Sequence, residues 1–158
     1  MRKKKEKYHS NSYMASVEET LQAYFKNRSE VVLVYLFGSF VKSTTGRFHD
    51  IDIAVLVTPG LEKELDQKMP YGYGSCLNAE VAHVLKYYSI DLILLNYAPP
   101  LLLRRVISTG KLIFCRSEMV RIRFEVASLK RYSDTEHIRR IKRLYMKQRI
   151  EKGLLAYG

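Results

Sequence analysis

The residues that could carry chemistry in the first two thirds of the chain are a glycine–serine pair and three aspartates. Gly38 and Ser39 end an apolar run, and after ten intervening residues come Asp50 and Asp52. A third aspartate, Asp91, opens a later apolar run. A glycine–serine turn can offer backbone N–H groups to phosphate oxygens, and clustered carboxylates bind hard divalent cations. Together these residues predict a metal-dependent nucleotide site.

Two strands and a turn must position this site. Residues 31–37 are an almost unbroken apolar run rich in β-branched and aromatic residues, which is typical of a strand buried on both faces. The glycine provides the turn that follows. If residues 40–43 begin a short helix, its free N–H groups suit phosphate. Residues 50–57 form the second predicted strand. Because side chains alternate across a strand, Asp50 and Asp52 share one face of it.

The two aspartates of the second strand predict a bound cation. Without one their carboxylates would repel and one would protonate, so an oxygen-bound divalent ion, Mg²⁺ first, is the natural partner. If residues 91–95 form a strand beside the second one, Asp91 joins the others at the same end of the sheet. Such a cluster can hold two metal ions, one on a triphosphate and one on the attacking oxygen. Asp91 is then best placed to act as the base.

The order of these residues resembles that of a known superfamily. The pair Gly38-Ser39, the motif Asp50-x-Asp52 and the later strand residue Asp91 resemble the pattern of the DNA polymerase β-like nucleotidyltransferases, and in particular of their minimal nucleotidyltransferase (MNT) proteins. The resemblance implies that the glycine and the serine lie at the phosphates of ATP. It also implies that the three aspartates are catalytic and bind two Mg²⁺ ions, with Mn²⁺ as an alternative.

The resemblance extends over residues 16–131, and segment 91–114 is similar to the one that follows the third aspartate in those proteins. It implies an α/β (α+β) fold, in which a small mixed β-sheet is flanked by helices and followed by C-terminal helices. Two positions depart from the usual pattern. Ser43 stands where a glycine often follows the glycine–serine pair, and His49 stands where a serine commonly precedes the first aspartate.

The resemblance also implies a role and a partner. Many minimal nucleotidyltransferases are antitoxins of HEPN/MNT pairs, which transfer AMP to a tyrosine of the HEPN toxin and silence it. A hetero-oligomer with such a toxin is therefore expected.

Two other functions stay open at this point. One is transfer of a nucleotide to a small-molecule hydroxyl, as in aminoglycoside modification, although roughly 40 residues after the core leave little room for an acceptor domain. The other is a catalytically silent protein whose basic ends bind a partner or nucleic acid. No nucleic-acid recognition motif supports that binding, and the complete set of carboxylates favours an enzyme.

Length and charge indicate one domain with basic ends. The 158 residues can build a single core, with a flexible basic N-terminus at 1–12, the nucleotidyltransferase core at 13–115 and a basic helical extension of the same domain at 116–158. The net charge of +11 lies at the two ends, since residues 11–115 hold equal numbers of acidic and basic groups. No apolar run is long enough to span a membrane and no signal peptide is visible, so a cytoplasmic protein is expected.

Helical spacing predicts the remaining elements of the core. Ser16 and Glu19 match a capping box that begins a helix ending near Asn27. Residues 96–110 are expected to form another helix, and residues 111–115 an edge strand. A helix before the third strand is predicted by four apolar residues on one face: Leu77, Val81, Val84 and Tyr88.

Two further helices are predicted after the core. Ser117 is expected to cap the first, whose apolar side carries Met119, Ile122, Val126 and Leu129. Asp134 is expected to cap the second, whose apolar side carries Ile138, Ile141 and Tyr145 among many basic residues. A basic amphipathic helix of this kind suits either an acidic groove on a partner or packing on the core.

Overall fold

The computed structural model describes residues 10–42, 50–87 and 89–151. The strands are β1 (Val31–Phe37), β2 (Ile51–Val57), β3 (Ile90–Leu94) and β4 (Lys111–Cys115). The helices are α1 (Ser10–Lys26), α2 (Gly38–Lys42), α3 (Glu62–Lys68), α4 (Tyr73–Leu85), α5 (Pro100–Thr109), α6 (Glu118–Asp134) and α7 (Glu136–Glu151).

The strands form one mixed sheet in the order β3-β2-β1-β4. β1 runs antiparallel to both β2 and β4, whereas β2 and β3 are parallel and are joined through helices. Every residue of β1 is buried, as its unbroken apolar sequence predicts. β4 pairs only with β1 and is therefore the expected edge strand. The predicted small mixed sheet flanked by helices is confirmed.

Helices cover both faces of this sheet because alternate strand residues are apolar on each side. On one face α1 and α4 pack on β2 through Leu21, Phe25, Leu77, Val81, Ile51 and Ile53. On the other face α5 packs on β1 and β2 through Leu103, Val106, Tyr35, Phe37 and Ala54. We call these the α1/α4 face and the α5/α6 face, since Val120 and Phe124 of α6 pack against the second cluster.

The start of α1 differs from the capping-box prediction. The described helix spans Ser10–Lys26, so Ser16 lies inside it, where its carbonyl accepts a hydrogen bond from the Thr20 hydroxyl at 2.7 Å. Tyr13 and Met14 pack against the core, so the apolar face of the helix extends upstream of the predicted cap. The predicted end near Asn27 is confirmed to within one residue.

The predicted face of α4 is only partly correct. Leu77 and Val81 are buried, but Val84 is 37% exposed, and Tyr88 lies outside the described residues. Val84 falls in the last turn of the helix, which ends at a left-handed residue, Lys86.

Helix α5 begins later than predicted because residues 96–99 are used in other ways. The Asn96 side chain accepts from the Val57 N–H and donates to the Val57 carbonyl, both at 3.0 Å, and so ends β2. Pro100 therefore opens the helix. The predicted stop at Gly110 is confirmed, and a Cβ there would lie 2.5 Å from the Val106 carbonyl oxygen.

Helix α6 turns a different face to the core from the one predicted. The Ser117 cap is confirmed, since its hydroxyl accepts from the Val120 N–H at 3.4 Å. The predicted apolar side, however, is between 42% and 62% exposed: Met119, Ile122, Val126 and Leu129. Polar contacts explain why the other side of the helix faces the sheet. The Tyr35 hydroxyl of β1 donates a hydrogen bond to Glu125 at 2.8 Å, and Glu125 also accepts one from Arg121.

The last helix also departs from its prediction. Asp134 is the final residue of α6 and not a cap, and Thr135 separates the two helices. The Thr135 hydroxyl donates to the Tyr132 carbonyl at 3.0 Å. The predicted apolar side is 51% to 63% exposed: Ile138, Ile141 and Tyr145. Of the two alternatives left open for this stripe, packing on the core is therefore not the one observed among the described residues. In the described part of the chain no helix is long and apolar enough to cross a membrane.

Candidate active site

The three aspartates lie at one end of the sheet. Asp52 of β2 pairs in register with Asp91 of the parallel strand β3, so their side chains leave the same face of neighbouring strands. Asp50 lies just before β2, two residues from Asp52, and its charge acts on the Asp52 carboxylate. The expectation that β3 lies beside β2 is confirmed.

Gly38 packs directly against the Asp52 carboxylate. Its φ of +74° is in the left-handed region, where glycine is strongly favoured. A Cβ at this position would lie 1.9 Å from Asp52 Oδ2 and 2.7 Å from Asp52 Cγ. Glycine is thus required twice, by its backbone angle and by the space that the carboxylate occupies.

Ser39 holds the same carboxylate through its backbone. The Ser39 N–H donates a hydrogen bond to Asp52, while the Ser39 side chain is exposed at the first turn of α2. The turn between β1 and α2 therefore fixes Asp52. The sequence pattern assigned the turn to phosphate alone and did not foresee this contact.

Burial raises the pKa of Asp52 above its ordinary value, and the charges of Asp91 and Asp50 raise it further. The Ser39 N–H and the Arg105 guanidinium act against this rise without cancelling it. The mutual effect shows that the three carboxylates share one electrostatic environment, in which a bound cation would relieve their repulsion.

Residues just before β3 complete the surroundings of Asp50. The Ser89 hydroxyl donates to Asp50 Oδ1. Burial, together with the Asp50 charge, raises the pKa of Tyr87. Sequence reasoning missed both residues, although a signal existed: Ser89 precedes Asp91 by two positions, as Asp50 precedes Asp52, and parallel pairing aligns the two pairs.

The three carboxylates have the chemistry to bind a hard cation, but their side chains do not converge on a common point. Carboxylate oxygens are the ligands that Mg²⁺ prefers. Among the described residues, however, no three acidic, histidine or cysteine side chains converge closely enough to hold a metal ion. The departures from the family pattern at Ser43 and His49 lie outside the described residues. Arg105 of α5 is a basic group whose charge acts on Asp52.

Comparison with known proteins agrees with this architecture. Residues 19–119 match the family model described as Polymerase beta, Nucleotidyltransferase. The protein adenylyltransferase MntA of Shewanella oneidensis is 33% identical over 85 residues, which are 54% of this chain and 55% of that protein. The aligned part thus spans about half the length of this curated relative.

Solved structures show the same fold over nearly the whole chain. A crystal structure of a toxin–antitoxin with AMP-PNP matches with a TM-score of 0.60 and 25% identity, covering 88% of this chain and 98% of that one. The tri-AMPylated Shewanella oneidensis HEPN toxin in complex with MNT antitoxin matches with a TM-score of 0.54 and 23% identity, covering 93% and 99%. Because the family model matches residues 19–119, which are more than half of the chain, the chain belongs to the polymerase β nucleotidyltransferase family.

Proposed function

We propose that the chain is a Mg²⁺-dependent protein adenylyltransferase that transfers AMP from ATP to a tyrosine of a HEPN-type toxin and acts as its cytoplasmic antitoxin. The observation that carries the proposal is the register of Asp52 with Asp91 beside a glycine that packs on the Asp52 carboxylate. The curated relative is itself a protein adenylyltransferase. The similar solved structures include a toxin–antitoxin with AMP-PNP and an AMPylated HEPN toxin bound to its antitoxin.

In this proposal Asp50, Asp52 and Asp91 hold the metal. Mg²⁺ bound to them would neutralise the triphosphate and activate the acceptor oxygen. Asp50 has a second oxygen besides the one that accepts from Ser89, so it can bind a cation while keeping that hydrogen bond. Asp52 is the fixed member of the set, because the Ser39 N–H and the Gly38 backbone define its position.

The acceptor tyrosine is proposed to approach Asp91. This residue is exposed and lies on β3, an edge strand, so the hydroxyl of a protein side chain can reach it. Asp91 accepts the phenolic proton as the tyrosine oxygen bonds to the α-phosphorus of ATP and pyrophosphate leaves. The Ser39 hydroxyl is exposed and free to bind a phosphate oxygen, while its backbone N–H holds Asp52.

Intact-mass spectrometry of a HEPN-type acceptor protein incubated with the chain, ATP and Mg²⁺ tests the proposal. We expect the acceptor to gain the mass of one or more AMP units, located on tyrosine by fragmentation. Asp52→Asn should remove the gain and Asp134→Asn should keep it, because Asp134 is an exposed aspartate at the end of α6. EDTA should also remove it. An acceptor of unchanged mass, or full transfer by Asp52→Asn, would overturn the proposal.

A further inference from the structure

The exposed large apolar side chains are concentrated in the last two helices. Of the fourteen found among the described residues, ten belong to α6 and α7. On α6 they repeat at intervals of three and four residues: Met119, Ile122, Val126 and Leu129. On α7 the spacing continues with Ile138, Ile141, Leu144 and Tyr145. Contiguous exposed apolar surface of this kind marks a protein–protein contact, and the three–four spacing is that of helix-to-helix pairing.

Among the described residues, the side-chain contacts that join helix α7 to the rest of the chain lie at its base. The Arg139 guanidinium stacks 3.5 Å from the centre of the Tyr132 ring, which Arg104 of α5 approaches from 4.7 Å. Arg139 also donates to the Tyr132 carbonyl at 2.5 Å. From residue 141 to residue 151, in contrast, every side chain is exposed. A helix of this length is marginal in water by itself, so a surface that covers its apolar stripe would stabilise it.

The charge of helix α7 indicates which kind of partner surface would bind its apolar stripe. Helix α7 carries six Lys and Arg residues against two Glu, and the whole chain has a net charge of +11. A second copy would therefore bring like charges together along the stripe. A protein with an apolar helical face rimmed by Asp and Glu complements both the stripe and its basic border.

The stripes lie on the side of the sheet that carries the aspartates. Asp52 pairs in register with Phe37, whose side chain belongs to the α5/α6 face. Tyr35 projects to the same face and donates to Glu125 of α6. A protein held on α6 is thus on the side of the sheet from which the carboxylates project, and the contacts of Tyr132 with Arg104 of α5 and Arg139 of α7 join α7 to the same side.

We propose that the exposed apolar stripes of α6 and α7 form the docking surface for the acceptor protein, which contributes an acidic-rimmed helical face. The inference rests on the proposed function for the identity of the acceptor. Docking supplies the local concentration of the tyrosine, and the aspartate end of the sheet supplies the chemistry.

Two measurements on the full chain separate docking from catalysis. The first is the Kd for the HEPN-type acceptor protein without nucleotide, and the second is steady-state AMP transfer. We expect the double variant Ile141→Ser/Tyr145→Ser to raise the Kd and the KM for acceptor about tenfold or more, with the KM for ATP and kcat at saturating acceptor unchanged. Tyr71→Ser is the matched control, because Tyr71 is 84% exposed but lies in the loop before α4. It should leave every constant as in the wild type.

The possible failures are distinct. Unchanged Kd in the stripe variant, with transfer intact, would overturn the docking surface and leave the proposed function. Loss of acceptor affinity in the stripe variant, with no transfer by the wild type, would keep the docking surface and overturn the proposed function.

Light scattering that shows a wild-type dimer abolished by the variant would assign the stripe to a second copy. Loss of binding to a single-stranded oligonucleotide alone would assign it to nucleic acid. Either of these last two results overturns the proposal.

Discussion

The aspartate end of the sheet and the C-terminal helices place their charged and apolar residues in opposite ways. In β2, Ile51 and Ile53 are fully buried and Asp52 stands out as an acid within an apolar strand. In α6 the charged pair Arg121 and Glu125 faces the sheet while the apolar stripe faces outward. The sheet end thus places an acid within a buried strand, and the helix places apolar side chains in water, each against the usual distribution of polar and apolar residues.

This difference in the placement of charged and apolar residues indicates which kind of ligand would suit each region. A carboxylate held in a strand costs stability until a cation or proton neutralises it, which is why the sheet end suits the cation of the proposed function. An exposed apolar stripe costs little in a folded monomer but gains on association, which is why the helices suit the proposed docking of a protein. In the proposed function these two surfaces bind different partners, a metal-bound nucleotide at the sheet end and the acceptor protein at the helices.

The largest expected effect separates activity from stability at Asp52. We expect Asp52→Asn to lower AMP transfer by about a thousandfold or more while raising the free energy of unfolding in EDTA at pH 7. Asparagine keeps an acceptor for the Ser39 N–H but removes the charge that Asp50 and Asp91 oppose. Urea unfolding and single-turnover transfer measure the two quantities.

The pH dependence of this stabilisation checks its cause. The pKa of Asp52 is raised in the folded state by burial and by its two neighbours, so the folded protein holds the proton more tightly than the unfolded chain. The penalty on folding is absent below the ordinary aspartate pKa of about 4 and grows as pH rises through the higher folded value. The gain from Asp52→Asn should therefore vanish at low pH, and a gain that is independent of pH would contradict the electrostatic account.

The two regions should differ almost as much in how they tolerate a shortened isoleucine. Ile53→Ala, at a fully buried position, should cost about 2–5 kcal/mol of stability through lost burial and a cavity. Ile141→Ala, at a position 51% exposed, should change stability by less than about 0.5 kcal/mol. Thermal and urea unfolding of both variants make the test. A large loss from Ile141→Ala would mean that the stripe of α7 is covered within the free chain.

This contrast also explains how much the sequence could predict. Burial of β1 follows from its unbroken apolar run, and the period of two along β2 places Asp50 and Asp52 on one face, so these features could be predicted, with Asp91 joining them on the condition that β3 pairs with β2. Which side of α6 packs on the sheet could not be predicted. Its apolar stripe is continuous, and the hydrogen bond from Tyr35 to Glu125 joins residues 90 positions apart. Period alone cannot distinguish a stripe that packs on the chain's own core from one kept for a partner.

Within the site the same limit appears at short range. The glycine–serine pair predicted a turn, but the contact between Gly38 and Asp52 depends on how β1 and β2 are aligned. Ser89 contributes through parallel pairing with β2. Contacts of the aspartates with Gly38 and Ser89 can be predicted only once the register of the strands is known.

An intermediate effect is expected from a methyl group at Gly38. Gly38→Ala must displace the Asp52 carboxylate, because its Cβ would lie 1.9 Å from Oδ2, and we expect AMP transfer to fall about a hundredfold. Gly60→Ala is the matched control, since Gly60 also has a positive φ of +94° but nothing within 4 Å of its Cβ. Both variants should lose about 1–2 kcal/mol of stability from the backbone angle, and only Gly38→Ala should lose activity. Equal activities would show that Asp52 can move without consequence.

The smallest effect tests the contact that joins the two regions. Tyr35→Phe removes the hydroxyl that donates to Glu125 from a side chain only 3% exposed, and it should cost about 1 kcal/mol because Arg121 still pairs with Glu125. Tyr73→Phe is the control on the α1/α4 face, where a tyrosine of equal exposure donates to Glu30 at 2.7 Å. The two variants should lose similar stability, yet only Tyr35→Phe should speed amide hydrogen exchange in α6, because that hydrogen bond sets which side of the helix faces the sheet. Faster exchange in α6 from Tyr73→Phe, or none from Tyr35→Phe, would show that apolar packing by Val120 and Phe124 alone fixes the helix.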